Sequence, residues 1–106
     1  MSDFPLKDES YAIIGACMKV HTELGSGFKE AVYQEALEKE FTLRNIDFVR
    51  HKKLKLHYNG IQLSKYYVAD FLCYGQIVLE VKATNYDIGL LINFGQPSLQ
   101  VRRFIH

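Results

Sequence analysis

Two segments in the first half of the chain carry apolar residues at helical spacing. In the first, apolar side chains recur every three or four positions from Ile13 to Leu24, and Gly25 ends the pattern. The second spans residues 28–45 and turns its charged side chains outward. The side chains predicted to face inward from this second segment are Val32, Tyr33, Ala36, Leu37 and Phe41. The pattern therefore predicts two helices that pack as a pair over a sheet.

From Ile46 onward the apolar positions alternate, which is the period of a β-strand. Asn59-Gly60 interrupts this pattern and is a strong hairpin signal, because both residue types tolerate the positive φ of a type I′ turn. A second strand returns from Ile61 and a third follows it, so we expect a three-stranded antiparallel meander. Residues 89–95, GLLINFG, suit a strand buried on both faces, and residues 99–105 alternate as a last strand.

Three charged residues lie within the apolar stretch 66–83: Asp70, Glu80 and Lys82. We expect Glu80 and Lys82 to share a face of one strand, because strand side chains alternate. A three-residue loop at 74–76 would place Asp70 opposite Glu80, whereas a two-residue loop would turn Asp70 to the other face. Facing carboxylates repel one another, and a cation between them removes the repulsion. An acid pair with a nearby lysine is therefore a candidate site for a divalent metal and a phosphodiester.

The composition is that of an ordinary globular protein. With 106 residues, 48% hydrophobic and 24% charged, the chain is expected to form one domain, residues 1–106, whose core needs no disulfide. The formal net charge of +1 excludes a globally basic nucleic-acid binder but not a local basic patch. Cys17 and Cys73 form no CxxC motif, so we interpret them as buried apolar residues in a reducing compartment.

The sequence indicates neither a zinc site nor a membrane segment. No zinc-ligand spacing joins the four histidines, which are His21, His51, His57 and His106. The first ten residues do not resemble a signal peptide, and no apolar run approaches the ~20 residues of a membrane span. We therefore expect a cytoplasmic protein without membrane contact.

Four motifs occur in a characteristic order: Gly27-x-x-Glu30-x-x-Tyr33, the AD at 69–70, the LEVKA at 79–83 and the GLLINFG at 89–95. With them the chain closely resembles the GxxExxY family, which is similar to the PD-(D/E)XK nuclease superfamily. The resemblance runs from about residue 13 to residue 105. It implies an α/β domain with a restriction-endonuclease-like core, in which two N-terminal helices pack on a mixed sheet of about five strands.

The resemblance also implies roles for individual residues. Asp70 and Glu80 match the two metal-binding acids, Lys82 matches the lysine of the E-x-K motif, and Glu30 matches a helix glutamate that assists by contact with the metal or its waters. The implied protein is a nuclease that hydrolyses phosphodiester bonds of nucleic acid. Hard oxygen ligands suit Mg²⁺ or Mn²⁺, and such a metal lowers the pKa of a bound water.

One feature departs from the family pattern. Members carry a helix with a glutamine and a Tyr-Leu pair between the E-x-K strand and the GLLINFG strand, and here only about residues 84–88 remain. Parallel pairing of those strands needs a crossover of about a dozen residues. Two hypotheses account for the short connection: a natural or engineered deletion, or a segment that belongs to the molecule but is missing from the sequence.

Alternative interpretations remain open for two groups of residues. Glu30 is also suited to a capping box, as N3 of a helix whose N-cap is Gly27. The basic run Arg50, His51, Lys52, Lys53 and Lys55, with Arg102 and Arg103, is either a phosphate-binding surface or a solvated strand face. The predicted phosphate contacts are Lys53, Lys55, Arg102 and Arg103.

A rival function comes from a different class of protein. The short connection favours a non-catalytic nucleic-acid-binding or assembly module that keeps the nuclease fold. Exposed sheet in such a module is covered by pairing with a partner, for example in a homo-oligomer.

Overall fold

A computed structural model of the chain describes residues 6–83, 92–93 and 100–101. Its elements in chain order are α1 (Lys7–Leu24), α2 (Glu30–Leu43), β1 (Phe48–Tyr58), β2 (Ile61–Cys73), β3 (Ile77–Leu79), β4 (Val81–Lys82), β5 (Ile92–Asn93) and β6 (Gln100–Val101). The order confirms the predicted arrangement of two helices followed by strands. The rest of the predicted GLLINFG strand, the rest of the last strand and the short connection at 84–88 lie outside the described residues.

The two helices pack against each other through the apolar faces that their spacing predicted. From α1 these faces bury Ile13, Ala16, Cys17 and Val20, and from α2 they bury Tyr33, Gln34, Leu37 and Phe41. The prediction that Val32 faces inward is wrong, because 39% of its surface is exposed. Gln34 takes a buried position instead, and its amide oxygen accepts a hydrogen bond from Arg50.

Strands β1 and β2 form the predicted hairpin. Asn59 and Gly60 have φ values of 51° and 79°, as a type I′ turn requires. The antiparallel register pairs Phe48 with Cys73 at the base of the hairpin, and it shifts between Lys55 and His57. Because β3 pairs only with residues 71–73 of β2, the outer part of the hairpin extends beyond the sheet as two strands.

The third predicted strand is divided at Glu80 into β3 and β4, and these belong to different sheets. One sheet has the order β1-β2-β3 and is antiparallel throughout. In the other, β4 pairs in parallel with β5, and β5 pairs antiparallel with β6. The strand pairing is therefore mixed, as predicted, but it is distributed over two three-stranded sheets. At this point the Asp70 N–H of β2 donates to the Glu80 carboxylate, and the Val81 N–H of β4 donates to the Asp70 carboxylate.

The core lies between the helices and the base of the first sheet. Three phenylalanines meet there in edge-to-face or tilted contacts, with ring centroids 5.3 Å apart for Phe41 and Phe71 and 5.7 Å apart for Phe41 and Phe48. Cys17 and Cys73 are both free and buried in the same core. Within the described residues, neither helix is long and apolar enough to cross a membrane.

Candidate metal-binding site

The loop at 74–76 sets the register between β2 and β3. Tyr74 and Gly75 take φ values of 56° and 67°, and the Gln76 N–H donates to the Cys73 carbonyl at 3.0 Å. Cys73 pairs with Ile77, which is the register that a three-residue loop predicted. Continued by one pair beyond Phe71 and Leu79, the same register places Asp70 opposite Glu80.

Asp70 and Glu80 bond to each other's strand through their carboxylates. The Asp70 backbone N–H donates to Oε1 of Glu80 at 3.1 Å, and the Val81 backbone N–H donates to Oδ2 of Asp70 at 2.8 Å. Each carboxylate thus accepts a hydrogen bond that a regular ladder would direct to a backbone carbonyl. These two bonds hold the pair of carboxylates (hereafter the acid pair) at the point where the strand divides.

The acid pair is largely removed from solvent. Glu80 is only 7% exposed, and Asp70 is half-buried. No lysine or arginine forms a salt bridge with either residue in the part of the chain that the structure describes. Burying carboxylates without a cation is unfavourable, because their charge is poorly solvated there. The surroundings of the acid pair therefore favour the binding of a cation.

Tyr67 is part of this site, and sequence reasoning did not identify it. Its hydroxyl hydrogen-bonds with Glu80, and the pKa of its phenol is raised to about 12. Burial around the hydroxyl is the largest cause, although 37% of the whole residue is exposed; the hydrogen bond and the charges of Glu80 and Asp70 add to it. The phenol therefore stays protonated near neutral pH and acts as a donor to Glu80.

Lys82 lies one residue beyond the Val81 N–H that binds Asp70. It is half-buried on β4, and β4 packs against α2. The prediction that one continuous third strand carries Glu80 and Lys82 is wrong, because the strand is interrupted at Glu80. That the two side chains share a face stays a prediction. Lys82 nevertheless stays next to the acid pair along the chain, and its catalytic role remains a prediction.

Glu30 is the first residue of α2, and it does not form a capping box. The N-cap residue is Lys29, with φ −74° and ψ 158°, and no side chain caps this helix end. The alternative with Gly27 as N-cap is therefore wrong. Within residues 6–83, no hydrogen bond or ion pair joins Glu30 to the acid pair, so its catalytic role remains a prediction.

The GxxExxY motif has a structural explanation for its first and last residues. Gly27 has a φ of 113°, which L-residues with side chains rarely adopt. The Tyr33 hydroxyl donates to the Gly25 carbonyl at 2.5 Å and accepts from the Phe28 N–H at 3.3 Å. Tyr33 therefore fixes the loop between the two helices while its ring fills the core.

The predicted basic surface is only partly available. Arg50 does not face solvent freely, because its guanidinium donates to Glu38 at 3.2 Å and to Gln34 at 2.9 Å and stacks over Phe71. Lys53 and Lys55 are exposed on β1, as a phosphate contact requires. Arg102 and Arg103 lie outside the described residues.

The donor set of the acid pair fits Mg²⁺ or Mn²⁺. No group of three or more histidine, cysteine, aspartate or glutamate side chains that could hold a metal occurs in the described part of the chain. Mg²⁺ needs no such cage, since it usually binds through one or two carboxylates and keeps several waters. Each carboxylate of the acid pair uses one identified oxygen for a backbone N–H, so each retains acceptor capacity for a metal.

Comparison with known proteins gives one finding. A family model described as the PD-(D/E)XK nuclease superfamily matches residues 7–86, which include both helices, the first sheet, the acid pair and Lys82. No curated protein and no solved structure matches the chain. The narrower assignment to the GxxExxY family stays a prediction.

Proposed function

Because the chain belongs to the PD-(D/E)XK nuclease superfamily, we propose that it is a Mg²⁺- or Mn²⁺-dependent nuclease that hydrolyses phosphodiester bonds. The observation that carries this proposal is the acid pair, held across the divided strand by two carboxylate–backbone hydrogen bonds. Such an arrangement brings two hard oxygen donors together, and among the described residues neither forms a salt bridge with a lysine or arginine.

In this proposal Asp70 and Glu80 hold the metal. A bound divalent ion supplies an activated water and offsets negative charge in the transition state. Tyr67 donates a hydrogen bond to Glu80 and thereby fixes the orientation of the Glu80 carboxylate. Orientation matters because small displacements of catalytic groups slow a reaction strongly.

Lys82 is proposed to contact the scissile phosphate or the attacking water. Its ammonium group carries the charge that stabilises an oxyanion where negative charge develops. Glu30 is proposed to assist from the start of α2, which packs with β4 in the same region of the fold.

The first test compares Asp70→Ala and Glu80→Ala with the unchanged chain on mixed DNA and RNA substrates with Mn²⁺. Glu35→Ala is the matched control, because Glu35 is an exposed acid on α2. We expect each site variant to lose about 100-fold or more of the cleavage rate, and the control to retain it. Mn²⁺ binding, followed by electron paramagnetic resonance, should weaken in the site variants alone.

Equal cleavage by all four proteins would contradict the proposal and identify a contaminating nuclease. Circular dichroism of each variant distinguishes a lost site from a lost fold. Metal binding is a separate readout. A folded chain that binds Mn²⁺ through the acid pair but cleaves neither DNA nor RNA would support the metal site and contradict the nuclease activity.

A second candidate function is a non-catalytic nucleic-acid-binding module. It is favoured by the connection between the parallel strands β4 and β5, in which only residues 83–91 join Lys82 to Ile92. A crossover of this kind usually takes about a dozen residues or more. Nucleic-acid binding without cleavage, at any metal, would support this candidate instead.

A further inference from the structure

The outer part of the β1–β2 hairpin, residues 51–69, projects from the domain (hereafter the ribbon). All of its residues except Leu54 and Ala69 are exposed. The exposed set includes large apolar side chains, such as Tyr58 at 67% and Ile61 at 68%. A two-stranded hairpin alone is marginally stable in water, and exposed apolar area of this kind marks a contact surface.

The charge of the ribbon identifies the chemistry of its partner. No acidic residue occurs between Asp47 and Asp70, and Lys52, Lys53, Lys55 and Lys65 all lie in the ribbon. The ribbon holds four of the thirteen Lys and Arg and none of the twelve Asp and Glu, so its formal charge is +4 and that of the remaining chain is −3. This separation suits a polyanion and opposes pairing with a second ribbon.

One face of the ribbon leads to the acid pair. The register pairs Lys53 with Val68 and Lys55 with Tyr66, and the alternation of β2 puts Tyr66 and Val68 on the same face as Asp70. Lys53 also lies over the Tyr66 ring, 5.8 Å from its centroid. At ~3.3 Å per residue, Val68 and Tyr66 stand about 7 Å and about 13 Å from Asp70 along the strand. The two lysines therefore follow the line on which neighbouring phosphates of a bound strand would lie.

We propose that the ribbon lies along the major groove of duplex DNA and that Lys53 and Lys55 bind phosphates beside the one held at the acid pair. The inference rests on the proposed function, to which it adds a substrate class. The major groove of B-DNA admits a two-stranded β-ribbon, whereas the major groove of A-form RNA is too deep and narrow for side chains to read. Exposure on nearly all sides is what a ribbon within a groove requires.

The test measures fluorescence anisotropy of a labelled DNA duplex two helical turns long, with the intact chain in EDTA, over a range of salt concentrations. Lys53→Ala/Lys55→Ala removes the proposed contacts. Lys7→Ala/Lys39→Ala is a matched control, because it also removes two exposed lysines, in this case from the helices. In each double variant one of the two lysines lies 5.8 Å from the centroid of a tyrosine ring. Lys53→Arg/Lys55→Arg retains the charge.

We expect the ribbon variant to bind about tenfold more weakly and to reduce the slope of log affinity against log salt by about 2. The control and the arginine variant should bind as the unchanged chain does. Equal binding by the ribbon variant and the control would overturn the inference. Tighter binding of the single strand or of an RNA duplex, or a dimer lost only in the ribbon variant, would overturn it as well.

Binding in EDTA is independent of hydrolysis, so the two proposals fail separately. If the ribbon binds duplex DNA but no divalent metal supports cleavage, the proposed nuclease activity is contradicted and the proposed partner of the ribbon is supported. Cleavage that depends on Asp70 and Glu80 but not on Lys53 and Lys55 would leave the nuclease and contradict the ribbon.

Discussion

At the residue scale, the acid pair shows how one side chain takes over a backbone function. Glu80 follows the last residue of β3 and accepts a hydrogen bond from the Asp70 N–H with its carboxylate, while the Asp70 carboxylate does the same for the Val81 N–H. Both N–H groups are thereby satisfied, so the interruption of the ladder leaves no unpaired donor at either position. The interruption also gives the two carboxylates positions that a regular strand would not.

Tyr67 should show its contact with Glu80 in the alkaline stability of the protein. Its pKa is raised to about 12 in the folded state and is near 10 when exposed, so its contribution to stability is present below pH 10 and is lost as the pH rises toward 12. We expect Tyr67→Phe to lose less stability than the unchanged chain between pH 9 and pH 11, measured by urea unfolding.

Tyr58→Phe is the control for this experiment, because Tyr58 is mostly exposed at the hairpin end. It should follow the unchanged chain across the same pH range. A Tyr67→Phe variant with the same alkaline loss as the unchanged chain would show that the phenol does not donate to Glu80.

At the element scale, the loop between α1 and α2 depends on two residues of the GxxExxY motif. Gly27 supplies a backbone conformation with φ 113°, and Tyr33 bonds to the loop on both sides of it, at Gly25 and Phe28. The motif is therefore explained at these two positions by helix packing. A functional explanation is needed only for Glu30, whose side chain does not cap the helix.

Gly27→Ala should destabilise the protein by about 1–3 kcal/mol, because a Cβ makes this φ unfavourable. Steric contact adds nothing, since no heavy atom of the described residues, apart from the two chain neighbours of Gly27, lies within 4 Å of the position of that Cβ. Ser26→Ala, in the same loop and without a positive φ, should change stability little. Chemical denaturation of both variants checks the expectation, and similar midpoints for the two would contradict it.

At the scale of the whole molecule, one core joins both helices to the first sheet. Cys17 on α1 and Cys73 on β2 are buried in it, although 56 positions separate them in the chain. Burial raises the pKa of the Cys17 thiol and raises that of Cys73 to about 12, so neither forms an appreciable thiolate at neutral pH.

We expect both thiols to react with Ellman's reagent only as fast as the domain opens, and at the same rate. The physical reason is that the thiolate is the reactive form and that the two residues share one cooperative core. The chain unfolded in denaturant should react at once at both positions. Rapid reaction of one thiol in the folded protein would show that α1 or β2 opens independently.

Local features of the fold followed from neighbouring residues. The hairpin at Asn59-Gly60 depends on backbone conformations that these two residues favour themselves. The two helices likewise follow from apolar spacing within single segments. The sequence left two loop lengths open between β2 and β3, and the structure has the three-residue loop, whose register brings Asp70 opposite Glu80.

The sequence by itself thus determined the two helices, the hairpin at Asn59-Gly60 and the candidate acids, because each depends on residues close together in the chain. Only the tertiary structure decided that the strand divides at Glu80, that Tyr67 bonds to Glu80 and that Arg50 turns inward to Gln34. Alternation alone puts Tyr67 and Asp70 on opposite faces of β2, so no periodicity joins them to one site. These contacts depend on side chains brought together from different elements, and such distances are set by packing rather than by spacing along the chain.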